Sequence, residues 1–188
     1  MRKAAGRLGQ VVIFEAEPNN FKLLQETVKK DGYKNVLLVN AAAWSETMKG
    51  TLYLSPYSWN HTVNKGEVIM DNDFRPGNEN MLPIKCEFRV LDEVLEELKI
   101  PDIDFLSVTV NGTELEVLEG GKNLLSKSKR IRIYSKGHAF LSNGNPLNAE
   151  INNYLLNFGF KTKICRDEPS VFPDRFCSRR SGDVYAKK

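Results

Sequence analysis

The residues best placed to do chemistry sit at the ends of short apolar runs. Val11-Val12-Ile13-Phe14 reads as a buried strand, and Glu15 closes it. The two oxygens of a strand-end carboxylate can accept hydrogen bonds from both hydroxyls of a ribose. Glu15 is therefore the strongest candidate for a nucleotide contact; the alternative is a solvated strand-end acid. The next apolar run, Val36 to Val39, is followed by Asn40, Ala41, Ala42 and Ala43, small residues that leave room for a flat adenine ring. Phe105 to Val110 is a third run, and Gly112 permits a sharp turn after it. Thr109, Asn111 and Thr113 then fall at the rim beyond a strand's C-terminal end, where open α/β sheets bind ligands. Trp59, Asn60, His61 and Thr62 stand in a polar stretch that could line a substrate pocket. His61 is a general base by its chemistry, or an ordinary surface histidine.

These residues need elements to hold them. The apolar positions Phe21, Leu24 and Val28 predict a helix after the first strand, capped by Asn19 or Asn20 and ended by Gly32. Val36 to Val39 follows, so strand, helix and strand form a unit in which parallel pairing is the default. Thr51 to Leu54 and Ile84 to Val90 alternate like strands and suit each other as partners. Residues 55–83 between them are rich in Asn, Gly, Pro and Asp and read as a long loop excursion. Leu91 to Leu98 reads as a short helix. Leu115, Leu118, Leu124 and Leu125 predict a helix after the central strand, with Gly120 and Gly121 inside it or near its end. Ile131 to Tyr134 is a strand, Leu147 to Phe158 a helix, and Phe160 to Cys165 with Asp183 to Ala186 a closing antiparallel hairpin.

The chain has 188 residues, enough for one domain with its own core, residues 1–188. Its net charge of +3 is too small to argue for nucleic acid. No apolar run is long enough to cross a membrane, and no signal peptide opens the chain. Cys86, Cys165 and Cys177 have no metal-ligand spacing, and an odd, scattered set fits a reduced, cytoplasmic protein. No metal site is expected. Ala4 to Gly9 reads as the last turns of a helix closing on glycine, as though the chain began inside a helix; an ordinary frayed terminus is the alternative.

The succession of motifs resembles the FkbM-type methyltransferases. It is carried by Val12-Ile13-Phe14-Glu15-Ala16-Glu17-Pro18-Asn19-Asn20-Phe21, Asn35-Val36 with Asn40-Ala41-Ala42, Leu91-Asp92-Glu93-Val94, and Asp104-Phe105 through Gly112-Thr113-Glu114-Leu115-Glu116-Val117-Leu118. Each piece is weak alone; their order and spacing are specific. The resemblance implies a Rossmann-like class I α/β sheet, mostly parallel with an antiparallel C-terminal hairpin. It implies S-adenosylmethionine as cofactor and O-methylation of a sugar or similar hydroxyl-bearing metabolite. Glu15 matches the family's ribose-binding acid, and Asn40 and Ala41, with Ala42 beside them, match the segment along the adenine. Asn60 and Thr62 are similar to a small polar pair in the loop before the fourth conserved strand. His138 matches a histidine often found after the fifth strand.

The pattern also departs from the family. An Asp-x-Gly-x-x-x-Gly strand and turn, which lies centrally in the family's sheet, is absent. Where members read Lys-Ile-Asp-Val-Glu-Gly, this chain reads Ser107-Val108-Thr109-Val110-Asn111-Gly112. Two rim carboxylates are thus replaced by groups that hydrogen-bond but cannot act as bases near neutral pH. The resemblance places Thr109, Asn111 and His138 with the chemistry and Asn60 and Thr62 with the substrate, where the polar stretch adds His61; without that central strand its neighbours would leave unpaired edges, which favour self-association. Two further readings stay open: a non-catalytic relative used for binding or assembly, or a degenerate fragment; and, more distantly, a dinucleotide or nucleotide-sugar enzyme using Glu15.

Overall fold

The computed structural model describes residues 9–54, 62–63, 68–69, 82–110, 112–128, 132–135, 140–141, 146–164 and 183–188. Strand β1 (Val11–Phe14) pairs in parallel with β2 (Val36–Val39), Val11 opposite Val36 and Phe14 opposite Val39. Helix α1 (Pro18–Lys30) connects them. Its cap is Glu17, not Asn19 or Asn20. The Glu17 carboxylate, 4% exposed, accepts the backbone N–H of Asn19 at 3.0 Å and of Asn20 at 2.5 Å. A carboxylate serves two orphan donors at once and its charge suits the positive end of the helix dipole, which a neutral amide cannot match. Pro18 takes the first position, where its missing N–H costs nothing. Gly32, with φ of 66°, turns the chain out of the helix.

A second sheet is built on the expected pairing of the strands around Thr51–Leu54 and Ile84–Val90, with two strands added to it. β3 (Ala42–Trp44) runs parallel to the end of β7 (Leu82–Val90), and β4 (Met48–Leu54) pairs antiparallel along β7's other side. β5 (Thr62–Val63) extends β4, giving the order β3-β7-β4-β5. Trp44 is 1% exposed and meets the fully buried Phe88 edge-on, ring centres 5.2 Å apart. β6 (Val68–Ile69) pairs with β10 (Phe140–Leu141). The rest of the 55–83 excursion up to Met81 lies outside the described residues.

β7 leads directly into α2 (Leu91–Glu97), which buries Leu91, Val94 and Leu95. β8 (Phe105–Val108) follows, then Gly112 with φ of 85°, as the tight turn requires. The single helix expected beyond it is two helices, α3 (Glu114–Glu119) and α4 (Lys122–Lys127). The break falls at Gly120 and Gly121, and Asp92 accounts for it. Its carboxylate accepts the N–H of Asn123 at 2.7 Å and of Leu124 at 2.9 Å, and its own N–H donates to the Gly120 carbonyl. A side chain from another helix thus starts α4 afresh.

β9 (Arg132–Ser135), α5 (Leu147–Asn157), β11 (Lys161–Ile164) and β12 (Val184–Lys187) complete the fold. The sheet order is β11-β12-β9-β8, with β8 and β9 parallel and β12 antiparallel to both neighbours, so the closing hairpin is as expected. One face of this sheet carries Val108, Ile133, Val184 and Ala186, all at most 2% exposed, packed with Leu118 of α3 and Ile151 of α5. Strand alternation puts Ser107, Tyr134 and Tyr185 on the other face. Phe14 of β1 also packs against this core. Among the described residues, β1 bonds only to β2, and β8 only to β9.

Candidate functional site

Glu15 stands just past the C-terminal end of β1, its N–H donating to the Val39 carbonyl at 3.0 Å. This last bond of the parallel ladder brings the ends of β1 and β2 together. The Asn40 side-chain amide closes the same corner by donating to the Glu15 carbonyl at 2.9 Å. The Glu15 carboxylate is half-buried and accepts the Glu17 N–H through Oε1 at 2.9 Å. That bond aims the side chain along the entry to α1. Oε2 takes no hydrogen bond from the described residues, so it remains an acceptor for a ligand. Glu15 and Asn40 lie 25 residues apart in the sequence, and the parallel ladder puts them in contact.

The alanines divide. Ala41 is 2% exposed, closed in by its own chain, whereas Ala42 is half-buried and begins β3. A ring lying beside this corner would meet Asn40 and Ala42 before Ala41. Thr109 follows the last residue of β8 and is exposed. Thr113, expected at the rim, is 6% exposed and Glu114 is 1% exposed, because the Gly112 turn drives the start of α3 into the core. Asn111 and His138 lie outside the described residues, as do Asn60 and His61. Thr62 is in β5, opposite Tyr53. The structure therefore joins Glu15 to Asn40, with Ala42 two residues further along, and sets Thr109 at the end of a different sheet.

Two acids were overlooked in the sequence because their partners are far away in it. Asp92 looked like a motif residue of a helix and proves to be the cap of α4. Asp183 looked like the first residue of a strand; it is 2% exposed and accepts the Tyr134 hydroxyl at 2.7 Å. A polar residue opening an apolar strand was the available signal. Among the described residues no three potential metal ligands cluster, and no helix is long and apolar enough to cross a membrane.

Comparison with known proteins gives the family and the fold. The model of the methyltransferase FkbM domain matches residues 1–162. The crystal structure of the methyltransferase FkbM from Methylobacillus flagellatus KT has a similar fold, with a TM-score of 0.54 over 94% of this chain at 14% identity. This chain spans 36% of that protein's length. No curated protein matches. The matched stretch holds 162 of the 188 residues, from β1 to the start of β11, and so the chain belongs to the FkbM methyltransferase family.

Proposed function

We propose that this chain is an S-adenosylmethionine-dependent O-methyltransferase domain acting on a sugar or other hydroxyl-bearing metabolite. The observation that carries the reading is the Glu15 carboxylate at the end of β1, fixed through one oxygen and, among the described residues, unbonded at the other, in a member of a methyltransferase family. Its open oxygen suits a ribose hydroxyl, and the Asn40–Ala42 corner suits the flat ring beyond it. S-adenosylmethionine, when bound, supplies a methyl group on a positively charged sulfur. Thr109, Asn111 and His138 orient the acceptor hydroxyl, and Asn60, His61 and Thr62 shape the acceptor's pocket. The family match gives the non-catalytic alternative no support.

The sheet is read as Rossmann-like class I in two parts, β2-β1 and β8-β9-β12-β11, which share no strand among the described residues. β1 and β8 are each bonded on one edge among the described residues, which favours self-association through the other. Calorimetry with S-adenosylmethionine tests the function. Saturable binding with transfer of a labelled methyl group to a hydroxyl compound supports it. Absence of binding by folded protein, or tighter binding of NAD, ends it. Sedimentation over a range of concentrations tests the association; a monomer throughout refutes it.

A further inference from the structure

We infer that the outer edge of β2 is a docking site for an extended acidic segment of a partner protein, added to the sheet as a further strand. In the parallel ladder the Val11 N–H donates to the Asn35 carbonyl and the Glu15 N–H to the Val39 carbonyl. With Val12 opposite Leu37, alternate residues of β2 face β1, so Leu37 and Val39 turn their backbone groups toward it. The N–H and C=O groups of Val36 and Leu38 therefore point the other way. Among the described residues no strand pairs with that side. Neither proline nor charge interrupts Val36–Val39, and either would blunt such an edge.

A groove of about 470 Å³ follows this edge. Its lining includes Val36, Leu37 and Leu38 in succession. Their side chains alternate between the two faces of the strand, so a space that meets all three lies along the edge itself. Val28 and Lys29 of α1, and Lys34 ahead of β2, also line it. Helix α1 buries none of its residues and all four of β2 are only half-buried, which leaves apolar surface for a partner to cover.

Both charged residues of the lining are lysines. They favour an acidic strand. They oppose a second copy of this chain, since pairing two such edges would bring four lysines into one groove. Main-chain hydrogen bonds to Val36 and Leu38 hold the added strand, and its alternate side chains set specificity. Apolar ones cover Val28 and β2; acidic ones meet Lys29 and Lys34.

Hydrogen exchange of the full chain, followed amide by amide by NMR, tests this. In the free protein the Val36 and Leu38 amides should exchange fast and those of Leu37 and Val39 slowly. A blocked hexapeptide of alternating glutamate and valine, at about ten times its measured Kd, should slow Val36 and Leu38 about 10-fold. Absence of binding up to about 1 mM, or binding that leaves both amides fast, overturns the proposal. Two further peptides carry N-methyl groups on the glutamates or on the valines. Only one should bind, because an added strand turns alternate N–H groups to β2. Equal binding of both overturns strand addition. Lys29→Glu combined with Lys34→Glu should weaken the parent peptide about 10-fold. A lysine–valine hexapeptide that binds the unaltered protein as well as the parent does overturns the acidic partner. Val36 and Leu38 amides that slow with protein concentration alone put a second copy on the edge and overturn the proposal too.

Discussion

The backbone carbonyl of Trp44 occupies the place where a side chain at position 120 would begin. A Cβ added to Gly120 would lie 2.0 Å from that oxygen and 3.3 Å from the Leu91 nitrogen. Just past the end of α3 the chain can therefore pass this close to β3 only with glycine at position 120, and the contact ties the second sheet to the core beside β8. Both neighbours are backbone, so neither can swing aside. Gly120→Ala is expected to destabilise the fold by about 3 kcal/mol, at the upper end of overpacking costs. Urea unfolding measures it, and a change below about 1 kcal/mol would show that the contact yields easily.

Glu15 carries the proposed cofactor contact without carrying the fold. Glu15→Gln keeps the side chain's shape and an oxygen for the Glu17 N–H, but removes the charge. S-adenosylmethionine affinity should drop about 10- to 100-fold, the worth of one or two hydrogen bonds to a charged group. The unfolding midpoint should hardly move. Calorimetry and a melting curve on one preparation separate the two, and full affinity in the variant would remove Glu15 from the site.

Glu17 does the reverse. It is buried at the start of α1 and holds two backbone donors. Glu17→Ala should cost about 1 kcal/mol of stability, as lost caps do, with exchange of the Asn19 and Asn20 amides accelerated. Unchanged exchange at those amides would mean that water caps the helix equally well.

Tyr154 on α5 has a buried hydroxyl with no hydrogen-bond partner among the described residues. Burial, then the negative charges of Glu119 and Asp92, push its pKa up to about 12 from 10.0. The folded protein thus holds this proton more tightly than the unfolded chain. The sign follows: stability is unaffected below pH 10 and falls as pH rises toward 12. Tyr154→Phe should remove that slope and leave the protein as stable or up to about 1 kcal/mol more stable at neutral pH. Unfolding measured at several pH values checks both; marked destabilisation at neutral pH would reveal a partner for the hydroxyl.

Cys86 on β7 shows burial acting on a nucleophile. Burial raises its thiol above the ordinary value, and a hydrogen bond from the Leu52 backbone offsets this only in part. The thiolate, which is the reactive form, is therefore scarce at pH 8. Alkylation of Cys86 by iodoacetamide should lag behind a simple thiol there and catch up as pH rises. Equal rates at pH 8 would contradict the shift.

Much of the local structure was legible in the residues because it depends on near neighbours. The β1–α1–β2 unit, the β4–β7 pairing, the Gly112 turn, α5 and the closing hairpin follow from alternation, helical spacing and turn residues. The position of Glu15 just past a strand was legible as well, since a strand's end is a local property. The cap of α1 was misjudged between residues of one turn, where carboxylate and amide compete on charge. Other features needed the folded chain. β3 forms in an alanine-rich stretch because β7, more than 40 residues later, offers it an edge. One expected helix is two because Asp92 comes across to cap the second at Gly121. Asp183 meets Tyr134 across 49 residues because a register between β9 and β12, set by burial of Val184 and Ala186, pairs Tyr134 with Tyr185, two residues after Asp183. Patterns of neighbouring residues specify what each segment is; only long-range packing decides which backbone and side-chain groups, distant along the chain, are brought within reach of one another.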